Sequence, residues 1–231
     1  MKSARILIPP INQAAAAYSK AFHLKPDYIW PYNNLAQICA LKSLSLMETG
    51  QDPSKLQEAR RVIAKALDIS DSYSLIYQTK GEVEIAAARW AIHEKKNPDA
   101  FFRNAGQSLG LALQKDGMNL EAMVDFIQLS RWKAEWKISR GGNPSAAIQD
   151  GLRYAEAALK IDTQIADASA LMGRLLLLRA SLSLDPKPDL LQAQSALSKA
   201  LKANKNLEME FRPFLNEVEA LLTQRRQGAK T

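Results

Sequence analysis

The sequence predicts an all-α chain in which antiparallel helix pairs stack into a right-handed α-solenoid with a period of about 45 residues. Three observations support this fold class. Ala, Leu, Lys, Glu and Gln are abundant and β-branched residues are few, which favours helix over strand. A pattern of small residues recurs along the chain, and breaks that contain proline recur with the same period. Such a period is typical of repeat proteins, whose units bury apolar surface against their neighbours.

An alanine recurs near the end of five helix-like runs, at spacings of 45, 46, 46 and 42 residues. These positions are Ala21, Ala66, Ala112, Ala158 and Ala200. A small residue also lies seven positions earlier in each run, at Ala14, Ala59, Ala105, Gly151 and Ala193. Residues seven apart share one face of a helix, so this face is predicted to let another helix come close.

The breaks between these runs follow the same period. They are Asp52-Pro53, Asn97-Pro98, Asn143-Pro144 and, less regularly, Asp185-Pro186. An Asp or Asn side chain caps a helix by accepting a hydrogen bond from a free backbone N–H, and proline is tolerated at the next position. Gly141-Gly142 precedes one break and is expected to end the helix before it. The breaks are therefore predicted to be helix–turn–helix joints.

These joints divide what we predict to be one repeat domain, residues 1–231. The predicted elements are the second helix of a first repeat at 10–26, repeats at 27–71, 72–117, 118–163 and 164–205, and a capping helix at 207–226. We call the first helix of each repeat its A helix and the second its B helix. Because the chain begins inside a repeat, we expect a fragment of a longer protein. Pro213 predicts a kink or a late start in the capping helix.

The A helices are predicted at about 28–47, 73–93, 120–139 and 166–184. Their equivalent positions include Ala36, Gly81, Ile127 and Gly173. Glycine inside a helix destabilises it by roughly 1 kcal/mol relative to alanine. Two glycines at one repeat position therefore indicate that a neighbouring helix contacts the backbone there.

Two further sequence features indicate core positions. Trp90, Trp136 and Leu182 occupy one repeat position, and we expect them in the core between neighbouring repeats. Cys39 lies at an apolar position of an A helix and is expected to be a buried, inert thiol.

The composition gives no support for a membrane-spanning protein, a disulfide-linked protein or an enzyme. The longest apolar run is far shorter than the ~18 residues that suggest a membrane span, and one cysteine cannot form an internal disulfide. His23 and His93 are far apart and have no metal-ligand spacing, so we expect no metal and no cofactor. The net charge of +7 is spread among acidic residues, which counts against a nucleic-acid surface.

The repeats resemble the tetratricopeptide repeat family over about residues 10–205. The resemblance is carried by Gly or Ala in helix A, small residues early in helix B, and the repeat endings KALDIS (65–70) and AALKID (157–162). The ordinary period of that family is about 34 residues. The period here is 45–46, so the resemblance implies the same helix pairs with longer helices.

This elongated form is similar to repeats that follow the catalytic domain in some bacterial serine/threonine protein kinases. The matching segments are METGQDPSK (47–55), SRGGNPSAA (139–147) and LMGRLLLLRASLSL (171–184). The sequence contains no G-x-G-x-x-G, H-R-D or D-F-G motif, so kinase chemistry is not expected of this chain. The resemblance implies a regulatory or docking part of a cytoplasmic signalling protein.

The resemblance also implies that the A helices line a concave groove. The polar residues that this register turns inward are Asn33, Gln37, Gln78, Glu82, Gln128, Arg131 and Arg174. Side-chain amides can bond a peptide backbone and arginine can bind a carboxylate, so we expect a protein or peptide partner there. Alternatively, these residues are only the solvated inner wall of a solenoid, or the array binds nucleic acid. Reversing the charge of Arg131 and Arg174 together is expected to weaken partner binding without unfolding the chain.

Overall fold

The structure, a computed structural model, describes residues 3–51 and 53–228. Within these ranges it is all-α, with ten α-helices, one short 3₁₀ helix at Lys205–Leu207 and no strand. The α-helices are α1 Ser3–Leu24, α2 Ile29–Glu48, α3 Lys55–Ile69, α4 Ser74–His93, α5 Asp99–Lys115, α6 Leu120–Ser139, α7 Ser145–Ile161, α8 Ala166–Ala180, α9 Lys187–Ala203 and α10 Glu208–Gly228.

The helices pack as adjacent pairs in two units, residues 1–122 and 123–231. In the N-terminal unit α1 packs on α2, α2 on α3, and α4 on both α3 and α5. In the C-terminal unit α8 lies against α7 and α9, and α10 lies against α9. Contacts also skip one helix within each unit, because α2 touches α4 and α8 touches α10. The predicted all-α fold of paired helices is therefore confirmed.

The helix starts at the predicted joints use the Asn side chains as expected. The Oδ1 atom of Asn143 accepts the N–H of Ser145 at 2.9 Å, and Asn97 does the same for Asp99 at 2.9 Å. Pro144 has a helical φ of −88°, and its carbonyl oxygen accepts the N–H of Ile148. The proline is thus already in helical geometry, where its missing N–H breaks no hydrogen bond. Asp52, at the first joint, lies outside the described residues.

Three A helices end in the same left-handed turn. Gly50, Lys95 and Gly141 have φ values of +69°, +57° and +68°. One residue later, the N–H of Gly142 bonds the Lys137 carbonyl at 2.8 Å, and equivalent bonds close the ends of α2 and α4. These bonds satisfy carbonyls that the helix leaves without partners. The prediction that Gly141-Gly142 ends a helix is confirmed, and Lys95 holds this turn without the freedom of glycine.

The small residues of the repeat lie at close helix contacts. A Cβ atom built on Gly81 would lie 2.5 Å from Cδ2 of Leu109 in α5. One built on Gly173 would lie 2.6 Å from Cγ of Leu197 in α9 and 3.2 Å from the Ala193 carbonyl oxygen. Real Cβ atoms do not approach so closely, so the predicted backbone contact at both glycines is confirmed.

Four of the five recurring alanines of the B helices are fully buried, and Ala21 is half-buried. Ala66, Ala112, Ala158 and Ala200 are all 0% exposed. In each case the alanine carbonyl also accepts the N–H four residues later, the last helical hydrogen bond before the turn that follows the B helix. The repeat pattern therefore marks both a packing contact and a helix end.

The fourth repeat departs from the predicted boundaries. Helix α8 ends at Ala180 rather than near residue 184, and Leu182 in the following turn is 53% exposed. The expectation that Leu182 joins a core stripe with Trp90 and Trp136 is wrong, because the shorter fourth period removes the last helical turn. The two tryptophans are half-buried.

The terminal helices are longer than the sequence predicts. Helix α1 begins at Ser3 rather than near residue 10, and α10 extends from Glu208 to Gly228. Pro213 lies inside α10 and does not delay its start. As the sixth residue of α10, Pro213 lacks the N–H that would otherwise bond the carbonyl of Met209, so it removes one helical hydrogen bond.

A candidate polar face on the A helices

In each A helix, the residue directly after the closely packed position is polar. Gln37, Glu82, Gln128 and Arg174 come directly after Ala36, Gly81, Ile127 and Gly173, and all four are half-buried. Asn33 and Gln78 lie one turn earlier in α2 and α4, at 0% and 2% exposure. Residues four apart share a helix face, so Asn33 and Gln37 extend along one side of α2, as Gln78 and Glu82 do along α4.

In the N-terminal unit the structure brings two of the predicted residues, Gln37 and Gln78, to the carboxylate of a third, Glu82. Glu82 accepts hydrogen bonds from the side chains of Gln78 and Gln37. Burial raises the pKa of Glu82 above its usual range, and the negative charge of Glu121 adds to this rise. The two amide donors act in the opposite direction, since they stabilise the ionised form. The result is a partly buried carboxylate held mainly by dipoles.

The same face contains buried polar atoms without a described partner. Asn33 is fully buried, and its Nδ2 atom lies 3.5 Å from Oδ1 of Asn34. Its own Oδ1 atom has no donor among the residues that the structure describes. The same holds for Oγ1 of the fully buried Thr79. A buried acceptor without a donor destabilises a fold by roughly 1–3 kcal/mol, so these atoms are unusual features of the face.

Glu84 is a second buried carboxylate of α4, and it faces away from Glu82. Both of its oxygens lie 2.9 Å from the guanidinium of Arg60 in α3. Nδ2 of Asn104 in α5 also donates to it, at 3.4 Å. Residues two apart on a helix, such as Glu82 and Glu84, do not face each other. The sequence did not predict that Glu84 connects three helices, because its partners Arg60 and Asn104 come from separate elements.

A cleft of about 300 Å³ opens beside this ion pair. Its walls include the apolar side chains of Ile63, Leu67 and Val83 from α3 and α4. Arg60 and Glu84 lie on its border and are bonded to each other. The cleft thus offers apolar surface, while this pair of charges serves the packing of the helices.

In the C-terminal unit the predicted partner-binding residue Arg131 is already engaged. Its Nη1 atom donates to Oε1 of Glu210 in α10 at 2.6 Å, and its Nε atom lies 3.5 Å from Glu135. The guanidinium also lies 5.0 Å from the ring centroid of Trp132 and 5.7 Å from that of Phe211. Only 7% of its side chain is exposed. Arg131 therefore holds α10 against α6 and is not an open docking residue.

Arg174 belongs to the same arrangement. Its Nε atom donates to Oε1 of Glu135 at 2.8 Å, and its guanidinium stacks over Phe214 of α10 at 4.1 Å. Glu135 thus bridges the two arginines. The i,i+4 spacing of Arg131 and Glu135 could be read from the sequence. The contribution of α10 could not, because Glu210 is 79 residues from Arg131.

The remaining candidate residues are isolated from these clusters. Gln128 is half-buried, and its Oε1 atom has no donor in the described part of the chain. Cys39 is buried as expected, and burial raises the pKa of its thiol to about 11. His23 and His93 are exposed. Among the described residues no group of three or more His, Cys, Asp or Glu side chains could hold a metal ion.

Each described helix is also too short or too polar to cross a bilayer. Of the seven sequence-predicted residues, three form a carboxylate–amide cluster in the N-terminal unit and two belong to an arginine–carboxylate cluster in the C-terminal unit. Asn33 and Gln128 lie outside both clusters. Comparison with protein-family models and with curated proteins gave no match for this chain.

Proposed function

We propose that this chain is a protein- or peptide-binding scaffold built as a right-handed solenoid of tetratricopeptide-like repeats. The contact surface is the polar face of α2 and α4, on which Gln37 and Glu82 are half-buried and accessible and Asn33 and Gln78 are buried supporting residues. The observation that carries the proposal is the cluster around Glu82, in which two helix-borne amides converge on a partly buried carboxylate.

The chemistry of this face suits a polypeptide ligand. A glutamine side chain presents both N–H donors and a carbonyl acceptor, so it can match the alternating N–H and C=O groups of a peptide in extended conformation. Because these side chains project from packed helices and not from loops, little conformational entropy is lost when a partner binds. Packed helices also fix the distances between the polar side chains of this face.

The arginines of the C-terminal unit do not support a nucleic-acid partner. Binding to phosphate needs several accessible cations on one face. Arg131 and Arg174 are bonded to Glu210 and Glu135 of the same chain and lie under aromatic rings. The proposal therefore assigns partner contact to the N-terminal unit and the anchoring of α10 to the C-terminal unit.

The proposed setting is the cytoplasm, as part of a larger bacterial signalling protein. The similarity of METGQDPSK (47–55) and SRGGNPSAA (139–147) to repeats that follow kinase catalytic domains supports a docking or regulatory role in a serine/threonine kinase. Sequencing the reading frame upstream of residue 1 tests this setting. A kinase domain there is the expected result, and a stop codon directly upstream contradicts it.

Peptide selection tests the binding function. A random peptide library displayed on phage is selected on the wild-type chain, and the affinities of recovered peptides are measured by fluorescence anisotropy. We expect Gln37→Ala to raise the Kd several-fold, and Gln37→Ala with Gln78→Ala to raise it further, because the buried Gln78 amide no longer holds Glu82 in place. Each lost hydrogen bond to a ligand corresponds to roughly 0.5–1.5 kcal/mol.

The matched control removes the same amides from exposed positions of the B helices α7 and α9. Gln149→Ala with Gln192→Ala should leave the Kd unchanged, since both residues are exposed. Equal losses in the two double variants would move the site off the polar face. Circular dichroism melting of each variant separates lost binding from lost folding, and the single Gln37→Ala variant removes a half-buried side chain only.

A further inference from the structure

We infer that the N-terminal unit has a second interaction surface, whose partner is a proline-rich segment with basic residues, bound in the polyproline II conformation. The surface follows the turns that precede α2, α4 and α6, at residues 25–28, 70–73 and 116–119. The inference does not depend on the polar face of α2 and α4.

Large apolar side chains are exposed in or next to each of these three turns. They are Leu24, Tyr28, Ile69, Tyr73 and Met118, and we call them the apolar edge. Tyr28 and Tyr73 are 46% and 44% exposed, so both rings are accessible to a partner. Grouped apolar side chains on a protein surface are typical of interaction sites.

Contacts between the turns show that the apolar edge is continuous. The ring of Trp30, at the start of α2, lies 5.0 Å from the ring of Tyr73 and is tilted by 58° against it. Nδ2 of Asn119 donates a hydrogen bond to Oγ of Ser74 at 2.7 Å. The first turn therefore lies against the second, and the second against the third.

The turn before α8 in the C-terminal unit has a different character. Ile165 occupies there the repeat position of Tyr28 and Tyr73 and is half-buried, and the residues before it, Thr163 and Gln164, are polar and exposed. The apolar edge is therefore a property of the first three turns and not a general consequence of the repeat.

The charges beside the rings favour a basic partner. Asp68 and Asp71 are exposed within five residues of Tyr73, and no ion pair among the described residues includes either of them. In the first turn Nζ of Lys25 lies 5.4 Å from the centroid of the Tyr28 ring, so a ring of this edge already attracts a cation. The phosphate groups of a nucleic acid or an anionic lipid would be repelled by the two aspartates.

The repeat spacing favours a polyproline II helix. Helices α2 and α4 pack directly on each other, and packed helices lie about 8–10 Å apart. A polyproline II helix has three residues per turn and rises about 3.1 Å per residue, so one turn advances it by about 9 Å. A proline at every third position would therefore meet successive turns of the apolar edge. Aromatic rings bind such segments, and tyrosine hydroxyl and tryptophan N–H groups can donate to their free carbonyls.

Three labelled nine-residue peptides test the inference by fluorescence anisotropy. The first repeats proline–proline–arginine, the second proline–proline–glutamate, and the third serine–alanine–arginine, which keeps the charge of the first without its prolines. Each is titrated with the wild-type chain and with Tyr73→Ala, Tyr28→Ala and Asp71→Asn. The matched controls are Leu191→Ala and Asp167→Asn, which change an exposed leucine of α9 and an exposed aspartate of α8.

We expect the first peptide to bind wild type at least tenfold more tightly than the other two. Tyr73→Ala should raise its Kd at least tenfold, and Tyr28→Ala and Asp71→Asn several-fold. The two controls should leave the Kd unchanged, and so should Gln37→Ala, which alters only the polar face. Circular dichroism melting checks that each variant is folded, and Tyr28→Ala keeps the test decisive if Tyr73→Ala is unstable.

Several results would overturn the inference. Equal affinity for the first and second peptides would remove the charge preference, and equal affinity for the first and third would remove the role of proline. Binding that survives both tyrosine substitutions, or failure of all three peptides to bind, would exclude the apolar edge as their site. If the chain instead sedimented with phosphatidylserine vesicles in a Tyr73-dependent way, the apolar edge would belong to a membrane contact.

Discussion

The A-helix faces of the two units use the same repeat positions in opposite ways. In the N-terminal unit Gln37 and Glu82 form a carboxylate–amide cluster that contains one acid. In the C-terminal unit the same repeat position holds Arg174. Together with Arg131 it contacts Glu135 of α6 and, in α10, Glu210 and two phenylalanines. One repeat position can therefore hold a polar side chain bonded by residues of the A helices, or one that also contacts a later helix of the same chain.

The difference has an energetic consequence. A buried ion pair is strongly destabilised when one partner is removed, because the other charge is left without compensation. A carboxylate held by neutral amides responds to the loss of its charge in the opposite way, because its ionised form is already disfavoured by burial. The following substitutions test this contrast, in order of decreasing effect.

Arg131→Glu should destabilise the chain by about 3–5 kcal/mol, as removal of one partner from a buried ion pair does. The variant places a third carboxylate beside Glu135 and Glu210, and the side chain it replaces is 7% exposed. Chemical denaturation followed by circular dichroism measures the change. This result would correct the sequence-based expectation that charge reversal at Arg131 and Arg174 leaves the fold intact.

The control for that prediction is Arg140→Glu, at an exposed residue directly after α6 whose guanidinium has no ion pair among the described residues and stacks on Trp136. We expect it to change stability by less than about 0.5 kcal/mol, as surface substitutions do. If Arg131→Glu and Arg140→Glu lowered the free energy of unfolding by similar amounts, the contacts of Arg131 with α10 would make no special contribution to stability.

Gly173→Ala should destabilise the chain by about 1–3 kcal/mol, as overpacking of a close contact does. The added methyl group would meet both Leu197 and the rigid Ala193 carbonyl. Gly81→Ala should destabilise it less, because the three atoms nearest to the added group all belong to the side chain of Leu109 and none to the backbone. Thermal melting of both variants tests whether helix contacts, unlike charges, are similar in the two units.

Gly110→Ala is the matched control for these glycines. It lies in helix α5, and a Cβ atom there would meet no other atom within 4 Å. We expect it to stabilise the chain by about 1 kcal/mol, since alanine is the better helix former. A loss of stability at Gly110 equal to that at Gly173 would remove the packing explanation.

Lys95→Gly should stabilise the chain by about 1 kcal/mol, because the left-handed conformation is strained for a residue with a Cβ atom. The reciprocal change Gly141→Lys, at the equivalent turn of α6, should destabilise it by a similar amount. Urea denaturation of both variants measures the pair. Effects of the same sign would show that the two turns are not equivalent.

Glu82→Gln should raise the melting temperature slightly at pH 7. Burial raises the pKa of Glu82 in the folded state, so folding favours its protonated form. The stability that this group contributes is present below its unfolded pKa and is lost as the pH rises through the folded pKa. The difference between variant and wild type should therefore vanish near about pH 3, where the carboxyl group is neutral in both states. A variant that is less stable than wild type at pH 7 would contradict this sign.

Much of the fold could be predicted because its signals are local. The capping of Ser145 by Asn143 and the turn at Gly141 involve residues within a few positions of one another. The small residues at 81 and 173 indicated helix contacts because they recur with the repeat, although their contact atoms on Leu109 and Leu197 were not specified. The boundary errors at Leu182 and Ser3 arose where the period shortens or the pattern is interrupted by proline.

The candidate site could likewise be predicted only where its signals are local. The sequence predicted that Gln37, Glu82, Gln128 and Arg174 occupy one repeat position, because their register on the A helices follows from helical periodicity alone. Stacking of helices decided which of these side chains receive partners. Arg131 meets Glu210 across 79 residues, and Glu84 meets Arg60 across 24. Such pairings depend on where packed helices bring distant side chains, and no local pattern of residues encodes that distance.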